Sequence, residues 1–157
     1  MLSKGGVFID AQEISFGDNV FISRNFHIAA TNLTFGDNIM IGPNLVIECH
    51  NHRFDVVGKA MFEYGHIKNH GFVTIENDVW IGANVIVLPN VTISEGCVVG
   101  AGSVVNKTIP PYSVCVGVPC KALKKRFSDE ELKNHLQLIK SKYSFNEIKN
   151  EWLKYNL

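Results

Sequence analysis

Val73 to Thr108 reads VTIEND, VWIGAN, VIVLPN, VTISEG, CVVGAG, SVVNKT, six consecutive blocks of six residues. The first and third residues of a block are apolar, with few exceptions, so locally they lie two apart and point to one face of a short strand. The fourth to sixth residues are rich in Gly, Asn and Asp, which tolerate positive φ and satisfy backbone groups in turns. The chain therefore bends every six residues. The same period runs upstream from Ile14 as ISFGDN, VFISRN, FHIAAT and, after Asn32, as LTFGDN, IMIGPN, LVIECH, which makes twelve blocks in all. Three bends of about 120° close a triangular coil of eighteen residues, and coils stacked ~4.8 Å apart pair each short strand in parallel with the one above. Twelve blocks give about four coils of an all-β parallel β-helix. A sandwich of short strands fits poorly, because its strands recur at about 8 to 12 residues.

Outside the repeat, the composition bounds the function. A chain of 157 residues and 17.5 kDa suits one core. Lys plus Arg (15) equals Asp plus Glu (15), so no basic field exists to hold a nucleic-acid backbone. No apolar run approaches the ~20 residues that cross a bilayer, and Met1 to Gly6 lacks the apolar stretch of a secretory signal. The four cysteines (Cys49, Cys97, Cys115, Cys120) form no C-x-x-C pair, so the expectation is a cytoplasmic protein with reduced thiols. The repeat dissolves after Pro110-Pro111. Ser128-Asp129-Glu130-Glu131 is a capping box and predicts a helix over about 129–142, with Leu132, Leu136 and Ile139 on one face. A second helical segment carries Phe145, Ile148 and Trp152. The expected organisation is a β-helix over 1–126 with an insertion at 51–72, then a helical extension over 127–157 that caps the last coil.

The insertion concentrates the chemistry. It begins Cys49-His50-Asn51-His52-Arg53-Phe54-Asp55 and goes on to Glu63, His66 and His70. An imidazole at His52 suits proton abstraction near neutrality. Equally, His50, His52, His66 and His70 are candidate zinc ligands for a hydrolytic or hydrating site. Spacing alone does not choose between them. His27 and His135, isolated in a strand and a helix, read as solvated side chains with no part in the chemistry.

Three motifs together, H-x-x-D from His52 to Asp55, DVWIGAN over 78–84 and VGAGSVVNKTIPPYSVCVGVPCKALKK over 99–125, are specific. Over roughly residues 34–125 the chain resembles the hexapeptide-repeat, acetyl-CoA-dependent O-acetyltransferases of the maltose, galactoside and nodulation-factor type and their surface-polysaccharide relatives. The resemblance implies a left-handed coil, an exception to the right-handed crossover rule. It also implies direct acetyl transfer from acetyl-CoA to a hydroxyl of a sugar or polysaccharide precursor in a ternary complex. N-acetylation of a nucleotide-linked amino sugar is the alternative. His52 takes the family's catalytic place, with Asp55 or Glu63 to orient it. Trp80 matches the aromatic of the acyl-CoA channel. Ala83, Ala101 and Gly102 fall where the pantetheine arm approaches the main chain, and Asn106 and Lys107 follow, read as the same coil corner. Lys121 and Lys124 match two basic positions for the coenzyme A phosphates. The family also implies a homotrimer with active sites between subunits, and apolar second-position residues such as Met40, Val46, Val98 and Val104 suit a buried interface. The zinc reading has its own family on this fold, the γ-type carbonic anhydrases, which place histidines on the coils. The coils after Trp80 carry none, so no metal is expected. A non-catalytic structural β-helix is the remaining alternative, and the loaded insertion argues against it. A cysteine nucleophile is disfavoured, since Cys97 and Cys115 occupy inward positions and Cys49 and Cys120 lack an adjacent motif.

Overall fold

The computed structural model describes residues 1–10, 12–65 and 71–157. The chain winds into a parallel β-solenoid with three faces, followed by two helices. The first face stacks β3 (Val20–Ile22), β6 (Ile39–Ile41), β9 (Trp80–Ile81), β12 (Val98–Val99) and β14 (Ser113–Val116), and β15 (Lys121–Lys125) closes it. The second stacks β1 (Val7–Ile9), β4 (His27–Ala29), β7 (Val46–Glu48), β10 (Ile86–Val87) and β13 (Val104–Val105). The third stacks β2 (Glu13–Phe16), β5 (Asn32–Phe35), β8 (Phe72–Ile75) and β11 (Val91–Ile93). First and third block positions fill the interior: Ile39 and Ile41, Leu45 and Ile47, Val73 and Ile75, Val79 and Ile81 are all buried. Second positions point outward and stay in register from coil to coil. They form an apolar stripe on the first face (Phe21, Met40, Trp80, Val98, Val114) and a Ser and Thr ladder on the third (Ser15, Thr34, Thr74, Thr92).

The corners separate two roles that the block pattern merges. Positive φ falls on the sixth residue: Asn19, Asn25, Asn38, Asn44, Asp78, Asn84, Asn90, Gly96 and Gly102 all lie between 55° and 72°. There the side chains also bond along the stack, Asn44 Nδ2 donating to Asn84 Oδ1 at 2.8 Å and Asn19 Nδ2 to Asn38 Oδ1 at 2.9 Å. A fourth-position glycine serves space instead. A Cβ on Gly82 would stand 2.6 Å from the Ala101 nitrogen of the next coil.

The solenoid runs past both ends of the recognisable repeat. Leu2 bridges to Ile22 and β1 pairs with β4, which adds a partial coil before Ile14. Beyond Pro110-Pro111, where the six-residue repeat dissolves, β14 continues the first face in parallel with β12. Ser113 and Cys115 keep the inward alternation although Tyr112 takes the corner place of an Asn. The antiparallel strand β15 then covers the outer edge of β14 and removes an unpaired ladder.

Helix α1 (Asp129–Ile139) and helix α2 (Phe145–Lys154) each start at a serine with a capping box, Ser128 with Glu131 and Ser144 with Glu147. Helix α1 stops short of residue 142 because Lys140 takes the left-handed conformation, and Ile139, expected on the buried stripe, is 44% exposed. Leu132, Leu136, Ile148 and Trp152 pack on Tyr112 in a cluster of their own, separate from the solenoid core. The extension also reaches down the corner between the third and first faces. Arg126 Nη1 pairs with Asp78 Oδ2 at 2.6 Å, Lys142 Nζ with Glu76 Oε1 at 2.7 Å, and Tyr143 Oη donates to Glu76 Oε2 at 2.8 Å. Tyr112 Oη donates to the buried Glu95 Oε1 at 2.7 Å. Burial first, and then the carboxylate each one faces, pushes both phenols above their ordinary range. His135, read as isolated, packs with its ring centroid 4.8 Å from that of Phe127, tilted by 43°, and lies 3.8 Å from Asp78. Among the described residues, no helix is long and apolar enough to cross a membrane.

Candidate active site

Trp80 stands in the middle of the apolar stripe, between Met40 and Val98, with 54% of its surface exposed. The chain turns directly after it, so Gly82-Ala83-Asn84 forms the corner between the first and second faces. Gly100-Ala101-Gly102 stacks beyond that corner, tied by Gly82 N to Val99 O at 2.8 Å and Gly102 N to Ala83 O at 2.9 Å. Trp80, Ala83, Ala101 and Gly102 therefore share one edge of the prism. A Cβ at Gly102 would meet nothing within 4 Å, so this edge is open to an approaching ligand.

Asn106 and Lys107 do not share that corner, as the sequence suggests. They follow β13 and turn the chain from the second face to the third, because six residues always carry the chain to the next corner. Cys120 N bonds to Val104 O at 2.8 Å, which lays the segment after Gly117 over β13. A cavity of about 340 Å³ results, lined by Asn106, Lys107, Thr108, Pro119, Lys121 and Tyr155 among others. Lys124 lies farther along β15, opposite Val114, and is not one of the lining residues.

The insertion leaves the solenoid at the other end of the second face, after β7. His52 is exposed there. The two carboxylates expected to orient it are engaged elsewhere. Asp55 holds Arg53 through two contacts, Nε to Oδ1 at 3.1 Å and Nη2 to Oδ2 at 3.3 Å, and that guanidinium keeps its carboxyl below the usual carboxylate range. Glu63 Oε1 accepts the Ala60 N–H at 3.2 Å and starts a short 3₁₀ turn (Met61–Tyr64). The sequence reading missed a different cluster at the foot of the insertion. Glu48 Oε1 accepts the His50 N–H at 3.0 Å, and Glu48 lies 3.7 Å from both the His50 and His27 rings. Asp10 lies 3.8 Å from the other ring nitrogen of His50. A carboxylate at the fourth position of LVIECH, where small turn residues are usual, is the one signal that points to it. His66 and His70 lie outside the described residues. Among the described residues, no group of three or more His, Cys, Asp or Glu side chains is placed to hold a metal ion.

All four cysteines are buried and unpaired. Burial pushes the Cys97 thiol up to about 12, and burial together with the charge of Glu48 pushes Cys49 up to about 11. Both thiols are therefore poor nucleophiles at neutral pH. Alkylation of Cys49 and Cys97 by iodoacetamide at pH 8 is expected to be at least ~100-fold slower in the folded protein than in denaturant, followed by mass spectrometry. Comparable rates in the two states would contradict that burial.

Residues 72–107 match the family described as bacterial transferase hexapeptide (six repeats). The galactoside O-acetyltransferase of Escherichia coli (strain K12) is 37% identical over 115 residues, covering 70% of this chain and 56% of that protein. The maltose O-acetyltransferase of Clostridium difficile 630 superimposes with a TM-score of 0.70 at 33% identity, over 81% of this chain and 66% of that one. The hexapeptide-repeat acetyltransferase of Vibrio cholerae, solved with acetyl coenzyme A, gives a TM-score of 0.63 at 30% identity, over 82% of this chain and 71% of the other. The chain spans between about a third and just over half of the length of the curated relatives it matches. The stacked blocks, the open edge beside Trp80 and these likenesses agree, and the chain belongs to the hexapeptide-repeat acetyltransferases.

Proposed function

We propose that the protein transfers an acetyl group from acetyl-CoA to a hydroxyl of a sugar or polysaccharide precursor in the cytoplasm. The observation that carries this reading is the open edge from Trp80 past Ala83, Ala101 and Gly102; the cavity at Asn106, Lys107 and Lys121, at the other end of the second face, adds a cationic pocket. Together they offer an apolar surface, a stretch of accessible main chain and a cationic pocket, the properties that a thioester with a phosphorylated tail calls for. Lys124 adds charge beyond the cavity. At the reacting end, His52 takes the proton of the acceptor hydroxyl as the new ester bond forms, and returns it to the sulfur as the thioester bond breaks. The Ala83 N–H is the donor for the oxyanion. Relatives named for galactoside and maltose support a carbohydrate acceptor.

His52 and the Ala83 edge stand at opposite sides of the second face of one subunit. The reading therefore includes a homotrimer, in which the insertion of one copy meets the donor edge of the next and the apolar stripes are buried. A thiol-release assay with acetyl-CoA and a panel of sugars tests the activity, and release of coenzyme A with none of them counts against it. Mixing inactive His52→Ala protein with inactive Ala83→Trp protein tests the shared site. Partial recovery of activity through mixed trimers is expected. No recovery despite confirmed subunit exchange would place the whole site within one chain.

A further inference from the structure

The C-terminal extension does more than brace the solenoid. Helix α2 ends at Tyr155, whose N–H bonds back to Trp152 O at 2.9 Å and whose phenol donates to Thr108 O at 3.1 Å. The residue is thus tied at both its main chain and its hydroxyl. The residue nonetheless stays 38% exposed and forms part of the wall of the cavity that Lys107 and Lys121 line. The remaining lining residues are Asn106, Thr108, Ile109, Pro119, Cys120 and Ala122, with no carboxylate among them. A fixed π-face, small apolar walls and two ammonium groups match a nucleoside phosphate, since a base stacks on the ring while lysines neutralise the phosphates. A sugar hydroxyl cluster would call instead for carboxylates, and none lines this cavity.

We propose that Tyr155 is the platform for the nucleobase of the acyl donor, so that the helical extension sets the preference for a nucleotide-bearing thioester. The inference rests on the acetyl-transfer reading and adds to it a residue from outside the repeat. Base stacking on an aromatic ring is commonly worth about tenfold in affinity. In the full-length protein, Tyr155→Ala is expected to raise KM for acetyl-CoA about tenfold at unchanged kcat, whereas Tyr155→Phe keeps the parental KM. With acetyl-pantetheine, which lacks the nucleotide, the parent and Tyr155→Ala are expected to show the same KM. An equal rise with both donors would reduce Tyr155 to a brace and overturn the proposal. So would no rise with either donor, or a Tyr155→Phe protein that behaves like Tyr155→Ala. Tyr155→Leu, which keeps bulk without a π-face, gives the same comparison if the alanine variant misfolds. Calorimetry with coenzyme A separates the two levels. A parent that does not bind it refutes the acetyl-transfer reading and this proposal together, while equal binding by parent and Tyr155→Ala refutes this proposal alone.

Discussion

Replacing His52 by Ala lowers turnover with acetyl-CoA by about 10²- to 10⁴-fold, the usual worth of a positioned general base. KM for acetyl-CoA and the melting temperature are expected to stay near parental values, because His52 is exposed and its removal uncovers no core. Asp55 is bound to Arg53 in the insertion, so Asp55→Asn is expected to cost far less than His52→Ala in the same assay. Steady-state thiol release on purified, folded variants decides the matter. Near-parental turnover in His52→Ala would remove His52 from the mechanism. A loss confined to His50→Ala would move the base to the imidazole held beside Glu48.

Trp152→Ala is expected to destabilise the extension by about 3–5 kcal/mol, the range for emptying a buried tryptophan site. Trp152 is 1% exposed, lies in the cluster around Tyr112, and donates its indole N–H to Pro111 O at 2.8 Å. Lys125 Nζ sits 4.6 Å from the ring centroid. The loss leaves both a cavity and an acceptor without its donor. Because this cluster is separate from the solenoid core, unfolding is expected to become biphasic, the helical signal fading at lower denaturant than the β signal. A single transition shifted by less than ~1 kcal/mol would contradict the account.

Much of the solenoid was legible because its period is short and every block repeats the same physical demand. Ile39 and Ile41 point inward for the same reason as Val79 and Ile81, and Asn44 turns the chain as Asn84 does. Where that demand lapses, so does the signal. Residues 7–9 and 113–116 form strands on existing faces, yet they fall outside the regular run of blocks: Gly5 and Asp10 flank the first, and Tyr112, at a φ of 53°, takes the corner place of an Asn before the second. Asn106 and Lys107 were set on the corner of Ala101, whereas they turn the next one, since sequence neighbours one block apart lie on different edges. The insertion has no period at all. Its pairing of Arg53 with Asp55, and the grouping of Glu48 with His27 and His50, arise from spatial proximity that no spacing rule encodes. Tyr155 escaped notice for a related reason, as the segment after α2 returns to the solenoid only in three dimensions.

Met40 pairs with Trp80 in the same register as Trp80 with Val98, although 40 residues separate the first pair and 18 the second. The stack is blind to the extra chain between them. Closing a longer loop costs only about 0.6 kcal/mol per doubling of its length, so insertions and deletions there leave the ladder untouched. The segment that carries His52 can diverge as a cassette, while the coils beside Trp80 are held by every neighbour above and below. Under the proposed reading, acceptor choice and donor choice are thereby placed under separate selection. A lineage would then explore new acceptors by rewriting one loop without relearning how to bind the acyl donor.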